Sequence, residues 1–126
     1  MDNSEILVLI HGYGGTSLTY YRMLKLLTKR YRVYCIDIIG FGLSSRPAFN
    51  LTNPIQIIDF FVESIEAWRR EMGITKFVLG GHSFGGYLAS NYALKYEHHL
   101  TTLLLFSPAG ASKRSKEEME EMEQRI

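Results

Sequence analysis

The apolar positions of this chain fall into four short continuous runs separated by stretches with helical spacing. Ile6 to Ile10 is apolar throughout and stops at His11-Gly12-Tyr13-Gly14-Gly15. A run of that length bounded by glycines reads as a buried strand ending in a tight loop. Thr16 to Arg30 places Tyr20, Leu24 and Leu27 on one helical face, with Thr16 or Ser17 as N-cap. Arg32 to Ile38, rich in Val, Ile and Tyr, is a second strand, and Ser44 to Leu51 is loop. Asn53-Pro54 opens the next helix, Asn as cap and Pro in the tolerated first position. Its buried face is predicted to be Ile57, Phe61, Ile65 and Trp68, and Gly73 stops it. Lys76 to Leu79 is a third strand, running into Gly80-Gly81-His82-Ser83-Phe84-Gly85-Gly86. A helix from about Ser83 to Tyr96 and a fourth strand from Leu100 to Phe106 follow, broken by Pro108 and Gly110.

Strand-helix alternation with continuously apolar strands predicts an α/β fold: a mostly parallel sheet with helices on both faces. At 126 residues, 46% of them hydrophobic, the chain suffices for one domain. Residues 1–110 read as a core. Residues 111–126 are a compositional shift, rich in Glu, Lys and Arg without aromatics, and read as a charged helical tail or the first part of a cap.

A formal charge of +1 gives no reason to expect nucleic acid or an anionic membrane surface as the main partner. Cys35 is the single cysteine, which excludes an internal disulfide and a cysteine-based metal cluster. Neither a metal nor a cofactor is called for. The start, Met1-Asp2-Asn3-Ser4-Glu5, has two acids and no base, unlike a secretory signal or a transit peptide. No apolar run approaches the ~20 residues of a membrane span. A cytoplasmic chain, soluble or peripheral on membranes, is the expectation.

Nine of the eleven glycines lie in three clusters, each directly after a predicted strand. All three loops therefore gather at the carboxyl edge of the sheet, where open α/β folds bind ligands. Tight turns need glycine, but that does not explain a serine held between two of them. Gly81-His82-Ser83-Phe84-Gly85 fits G-x-S-x-G between a strand and a helix. A sharp turn there pushes the serine oxygen out of the sheet edge, and small residues two positions away avoid clashing with it. Ser83 is the candidate nucleophile. The developing oxyanion calls for two backbone N–H groups, those of Phe84 and, from the loop after the first strand, Tyr13.

These features resemble the α/β-hydrolase superfamily, from Ile6 to about Gly110. The stretches Gly40-Phe41-Gly42-Leu43-Ser44-Ser45-Arg46-Pro47, Phe61-Val62-Glu63-Ser64-Ile65-Glu66-Ala67-Trp68-Arg69 and Gly81-His82-Ser83-Phe84-Gly85-Gly86-Tyr87-Leu88-Ala89 are similar to α/β-hydrolase domain-containing proteins four and five and their plant and fungal relatives. The resemblance implies lipid chemistry: hydrolysis of phospholipid or lysophospholipid acyl esters, acyl transfer to lysophosphatidic acid, or lipase co-activation. It implies a lipid acyl-ester substrate and contact with membranes, lipid droplets or mitochondria. The co-activator lacks the nucleophile, whereas this chain keeps Ser83. Where the family's fourth visible strand ends in an acid followed by Pro-Trp-Gly, this chain has Ser107-Pro108-Ala109-Gly110.

In the superfamily the triad runs Ser, then Asp or Glu, then His. No Asp follows Ser83, and the later histidines, His98 and His99, precede the fourth strand and belong at the amino edge. His82 is expected to point away from the nucleophile and pack beneath it. His11 is expected to fix its loop by hydrogen bonding, and Asp37 to brace the Gly40 turn. The four strands would be the central part of the family's eight, the second and fourth at its edges. A fragment, weakly active or inactive alone, is therefore expected. Three other readings stand beside a serine hydrolase of lipid esters. Acyl transfer lacks the family's His followed four residues later by Asp. A dinucleotide-binding module would use Gly12, Gly14 and Asp37, but has Ser17 where its third glycine belongs. A truncated pseudoenzyme would make Ser83 a relic.

Overall fold

The computed structural model describes residues 4–111, 115–117, 120 and 124. Four strands, β1 (Glu5–Ile10), β2 (Tyr31–Ile36), β3 (Phe77–His82) and β4 (Leu100–Phe106), form one sheet in the order β2-β1-β3-β4. Every pairing is parallel, and β2 and β4 are the edges. Three helices connect them: α1 (Tyr21–Leu27), α2 (Pro54–Glu71) and α3 (Phe84–Tyr96).

Side chains alternate across the sheet and build two cores of unequal size. Val8, Ile10, Phe77 and Leu79 face α2 and α3, where Val62, Ile65, Leu88, Ala89 and Tyr92 close over them. Burying each such aliphatic side chain contributes about 1.5–3 kcal/mol. Leu7, Leu9 and Val78 face the other way, against Tyr20, with Leu27 at the margin. That side is thinner, because α1 is seven residues long and has no fully buried side chain.

The strand-helix pattern holds with four corrections. The second strand is Tyr31–Ile36 rather than Arg32 to Ile38, which leaves Asp37 and Ile38 in the loop after it. The first helix begins as a 3₁₀ turn, Ser17–Tyr20, capped by the Thr16 hydroxyl, and ends at Leu27 rather than Arg30. β3 does not stop at Leu79 but continues through Gly80, Gly81 and His82, each paired with β4. These glycines belong to the strand because space demands them: a Cβ on Gly80 would come within 2.8 Å of the Leu9 side chain. On α2 the Asn53 side chain caps Ile55 and Gln56 as the sequence requires, but the fully buried face is Val62, Ile65, Glu66 and Arg69. Ile57, Phe61 and Trp68 are half-buried.

Glu66 and Arg69 are inside because they satisfy each other and their surroundings. Arg69 donates to both Glu66 oxygens, at 2.6 and 2.9 Å, and to the Ile74 carbonyl. Tyr92 of α3 donates its hydroxyl to Glu66 at 2.7 Å. The Arg69 guanidinium, then the Tyr92 hydroxyl, hold the Glu66 carboxyl down to about 2 against the opposing effect of burial. Burial, then the neighbouring carboxylate, pushes the Tyr92 phenol well up.

The charged tail, 111–126, lies largely outside the described residues. Of those described, Lys116, Glu117 and Glu120 are helical, and the Gln124 N–H donates to the Glu120 carbonyl. Among the described residues no helix is long and apolar enough to cross a membrane.

Candidate active site

The carboxyl ends of the strands converge on the turn between β3 and α3. Ser83 occupies it with φ 53° and ψ −117°, a conformation that side chains other than glycine rarely adopt. Its backbone is held from several directions. The Ser83 N–H donates to the Phe106 carbonyl of β4 at 3.1 Å, and the Ser83 carbonyl accepts from Tyr87 and Ala109, both at 3.0 Å. The turn closes so tightly that a Cβ on Gly81 would overlap the Gly85 carbonyl, and one on Gly85 would overlap the carbonyls of Ile10 and His11. Gly86 is pressed against Pro108 and Gly81 in the same way. The residues on either side of Ser83 are glycines because backbone passes where a side chain would be.

The loop after β1 lies against this turn. A Cβ on Gly12 would stand 3.3 Å from the Cβ of Ser83. The two N–H groups expected to face an oxyanion, those of Tyr13 and Phe84, thus belong to segments that flank Ser83. Phe84 is the first residue of α3, so its N–H is one of the four that an α-helix leaves unpaired at its start. The Tyr13 and Phe84 rings meet edge-on, centroids 6.4 Å apart.

Three anchors fix that loop. His11 is completely buried; its Nδ1 lies 2.7 Å from the Gly12 carbonyl and its Nε2 accepts the Ile38 N–H at 3.0 Å. Those partners require the tautomer with the proton on Nδ1. The Tyr20 hydroxyl donates to the Ile10 carbonyl at 2.7 Å, and burial pushes its phenol up to about 12. The carboxylate of Asp37 accepts the Leu43 N–H at 2.9 Å and the Ser17 N–H at 2.7 Å. Those two N–H groups, Leu43 first, hold the Asp37 carboxyl below its ordinary value. Asp37 therefore braces the Gly40 turn and also ties it to the segment after β1.

Aromatic rings line the edge beside Ser83. Phe41 packs against Tyr13 and Phe84, and Phe61 packs edge-on to Phe84 at 5.5 Å. Phe49 and Phe60 extend the cluster. Between them lies an apolar cavity of about 130 Å³, lined by Ile39, Phe41, Pro47, Phe49, Phe60 and Phe61. Tyr13 and Phe84 flank the motif and are expected as pocket wall, but Phe41, Phe49, Phe60 and Phe61 come from segments far apart in sequence and the motif does not disclose them.

Histidines are elsewhere. His98 and His99 sit at the amino edge; the His99 Nδ1 lies 3.1 Å from the Thr75 carbonyl, at the opposite end of β3 from Ser83. His82 departs from expectation: it is exposed rather than packed beneath the turn. Strand alternation carries through the glycines and turns it to the thin side of the sheet, beside Thr19, Tyr20, Met23 and Phe106. Asp37 is committed to backbone N–H groups.

A parallel sheet carrying a strained serine between two obligatory glycines at its carboxyl edge defines the hydrolase class of α/β proteins. Residues 5–126 match the family model described as the alpha/beta hydrolase fold, and the chain belongs to that family. It is 43% identical over 104 residues to the human (lyso)-N-acylphosphatidylethanolamine lipase, covering 82% of this chain and 30% of the lipase. It is 43% identical over 115 residues to the human 1-acylglycerol-3-phosphate O-acyltransferase ABHD5, covering 90% of this chain and 32% of that protein. The chain thus spans about a third of the length of these relatives. Among solved structures, a bacterial membrane phospholipase A described as a virulence factor superimposes with a TM-score of 0.81 at 29% identity, covering all of this chain and 40% of that one.

Proposed function

We propose that this chain carries the nucleophile and the oxyanion-binding part of a serine hydrolase acting on carboxylic esters of lipids. The observation that carries the reading is the backbone of Ser83, held at φ 53° in a turn that tolerates no side chain at Gly81 or Gly85. Such strain persists only where the surroundings enforce it, and here it presents one hydroxyl at the carboxyl edge. The Ser83 Oγ attacks the acyl carbonyl carbon and yields its proton to a base. The carbonyl electron pair moves onto oxygen, which the Tyr13 and Phe84 N–H groups receive. Collapse expels the lipid alcohol, which takes up the proton, and leaves the acyl group on Ser83; water then releases the fatty acid. Each oxyanion donor contributes ~3–4 kcal/mol to the transition state. The aromatic wall and its cavity suit an acyl chain.

A base must come from a histidine placed against Ser83; His11 and His99 are engaged with backbone groups elsewhere, and His82 stands beside Gly12, Thr19 and Tyr20. The chain alone is therefore expected to be acylated slowly. Intact-mass spectrometry after incubation with a fluorophosphonate and, separately, a long-chain nitrophenyl ester tests this. A single adduct that Ser83→Ala abolishes is the expected result; an adduct elsewhere, or none even after prolonged exposure, overturns the reading. Transfer of the acyl group to lysophosphatidic acid is a second reading, favoured by the acyltransferase name of ABHD5. Supplying that acceptor and finding phosphatidic acid in place of free fatty acid would move it to first place.

A further inference from the structure

Tyr20 stands at the junction of the two segments that flank Ser83, although it belongs to neither. The 3₁₀ turn Ser17–Tyr20 is capped by Thr16 and tied to Asp37 through the Ser17 N–H, and it turns the Tyr20 side chain under the end of β1, where it is buried. There the hydroxyl donates to the Ile10 carbonyl at 2.7 Å. Ile10 and Gly81 are the last pair between β1 and β3. One residue further along β3, the backbone N–H of His82 acts on the same hydroxyl and opposes the rise that burial causes in its phenol. His82 and Tyr20 also line one cavity on this side of the sheet. In a parallel ladder the N–H and carbonyl groups of neighbouring strands bond directly; past Gly81 a side-chain hydroxyl stands between them.

Each strand end leads straight into the reacting groups. Ile10 continues through His11 and Gly12 to Tyr13, and His82 continues to Ser83 and Phe84. The two lines run in contact. A Cβ on Gly12 would stand 3.3 Å from both the His82 Nδ1 and the Ser83 Cβ, and one on Gly85 would overlap the Ile10 carbonyl that Tyr20 holds. With no side chain between them, their spacing depends on what fixes the strand ends. His11 and Asp37 tie the Tyr13 loop to the segment after β2. Tyr20 ties it to β3.

We propose that Tyr20 is a positioning residue for the reaction at Ser83: its hydroxyl joins the end of β1 to the end of β3 and so sets the place of the Tyr13 N–H relative to Ser83 and the Phe84 N–H. It touches no substrate and acts through the Ile10 carbonyl and the His82 N–H. A displacement of about 1 Å among such groups costs on the order of a hundredfold in rate. The effect on rate rests on the serine-hydrolase reading, whereas the joining of the two segments rests on the fold alone, so the two are measured apart.

Tyr20→Phe keeps the ring and removes the hydroxyl. Acylation of the whole chain at Ser83 by 4-nitrophenyl octanoate, followed by intact mass, is compared with acylation by its thiono analogue, in which sulfur replaces the carbonyl oxygen. Sulfur is larger and a weak acceptor, so well-placed N–H donors favour the oxygen ester. Tyr20→Phe should slow the oxygen ester by about tenfold or more and the thiono ester far less, so that the ratio of the two rates falls. Loss of folded protein by itself slows both equally. Tyr92→Phe, which removes a buried hydroxyl at Glu66 away from the site, should leave the ratio unchanged. The joining of the segments is read from melting temperatures. Ser83→Gly should raise the melting temperature less in the presence of Tyr20→Phe than in its absence, because a freed His82 lets the turn relax. An unchanged ratio in Tyr20→Phe, an equal fall in Tyr92→Phe, or equal gains from Ser83→Gly in the two backgrounds would overturn the proposal. If the parent chain forms no adduct at Ser83, the hydrolase reading falls, and the melting comparison decides by itself whether Tyr20 joins the two segments.

Discussion

The His11 ring, at the end of β1, accepts the backbone N–H of Ile38, just past the end of β2, at 3.0 Å. Asp37 returns the connection, its carboxylate accepting the N–H of Ser17 in the segment that follows His11. Each loop beside Ser83 is thus held by a side chain from the neighbouring strand. Replacing the ring leaves the Ile38 N–H and the Gly12 carbonyl without their partner inside the protein. His11→Ala should destabilise the chain by about 2–4 kcal/mol, read from urea unfolding. A loss below about 1 kcal/mol would show that the loops hold without it.

Gly81 and Gly14 should separate two roles of glycine. A Cβ on Gly81 would overlap the Gly85 backbone, whereas one on Gly14, at φ 73°, meets nothing within 4 Å. Gly14→Ala should therefore cost only the left-handed strain, about 1–2 kcal/mol. Gly81→Ala should cost about 3 kcal/mol or more, because backbone cannot move aside as a side chain does. Thermal melts of the two variants check the order, and similar shifts would refute the packing account.

Ser83 pays for its position. Ser83→Gly should raise stability by about 1 kcal/mol, since only glycine adopts φ 53° and ψ −117° freely, while removing any acyl adduct. Ser83→Ala should remove the adduct without that gain. Equal melting temperatures for the two variants would mean the turn is not strained.

Acid should weaken the fold through Glu66. Its carboxyl sits at about 2 in the folded chain against an ordinary 4.5. The folded value is the lower, so its contribution is complete above about 4.5 and is lost as pH falls from there towards 2. The full span is on the order of 3 kcal/mol. Glu66→Gln should flatten that part of the stability profile. It should also destabilise at neutral pH by about 3–5 kcal/mol, because Arg69 then keeps a buried charge without its partner. A profile unchanged between pH 5 and 2 would refute the assignment.

What the sequence disclosed and what it hid follow from the range of the interactions. Strand positions and the Asn53 cap are set within a few residues and are read directly from the chain. The obligatory glycines could be seen as clusters, but their partners could not: Gly85 faces the Ile10 and His11 carbonyls, contacts made only by the folded sheet. Glu66 and Arg69 look like a solvated helix pair until Tyr92 and the Ile74 carbonyl are brought to them. His82 turns outward because Gly80 and Gly81 extend β3 and carry its alternation, which a glycine cluster does not reveal by itself. The rest of the aromatic wall is out of reach because its rings come from segments far apart in sequence.

The partners of Ser83 also bear on the order in which the molecule assembles. Its N–H reaches Phe106 and its carbonyl reaches Ala109, both beyond the whole length of α3. Local preference opposes the turn, and nothing nearby in the chain except the first bond of α3 rewards it. The serine therefore acquires its working shape only after β4 has paired with β3, a closure that spans the whole of α3. A partly folded chain with β4 undocked would hold every residue of the motif and none of its geometry.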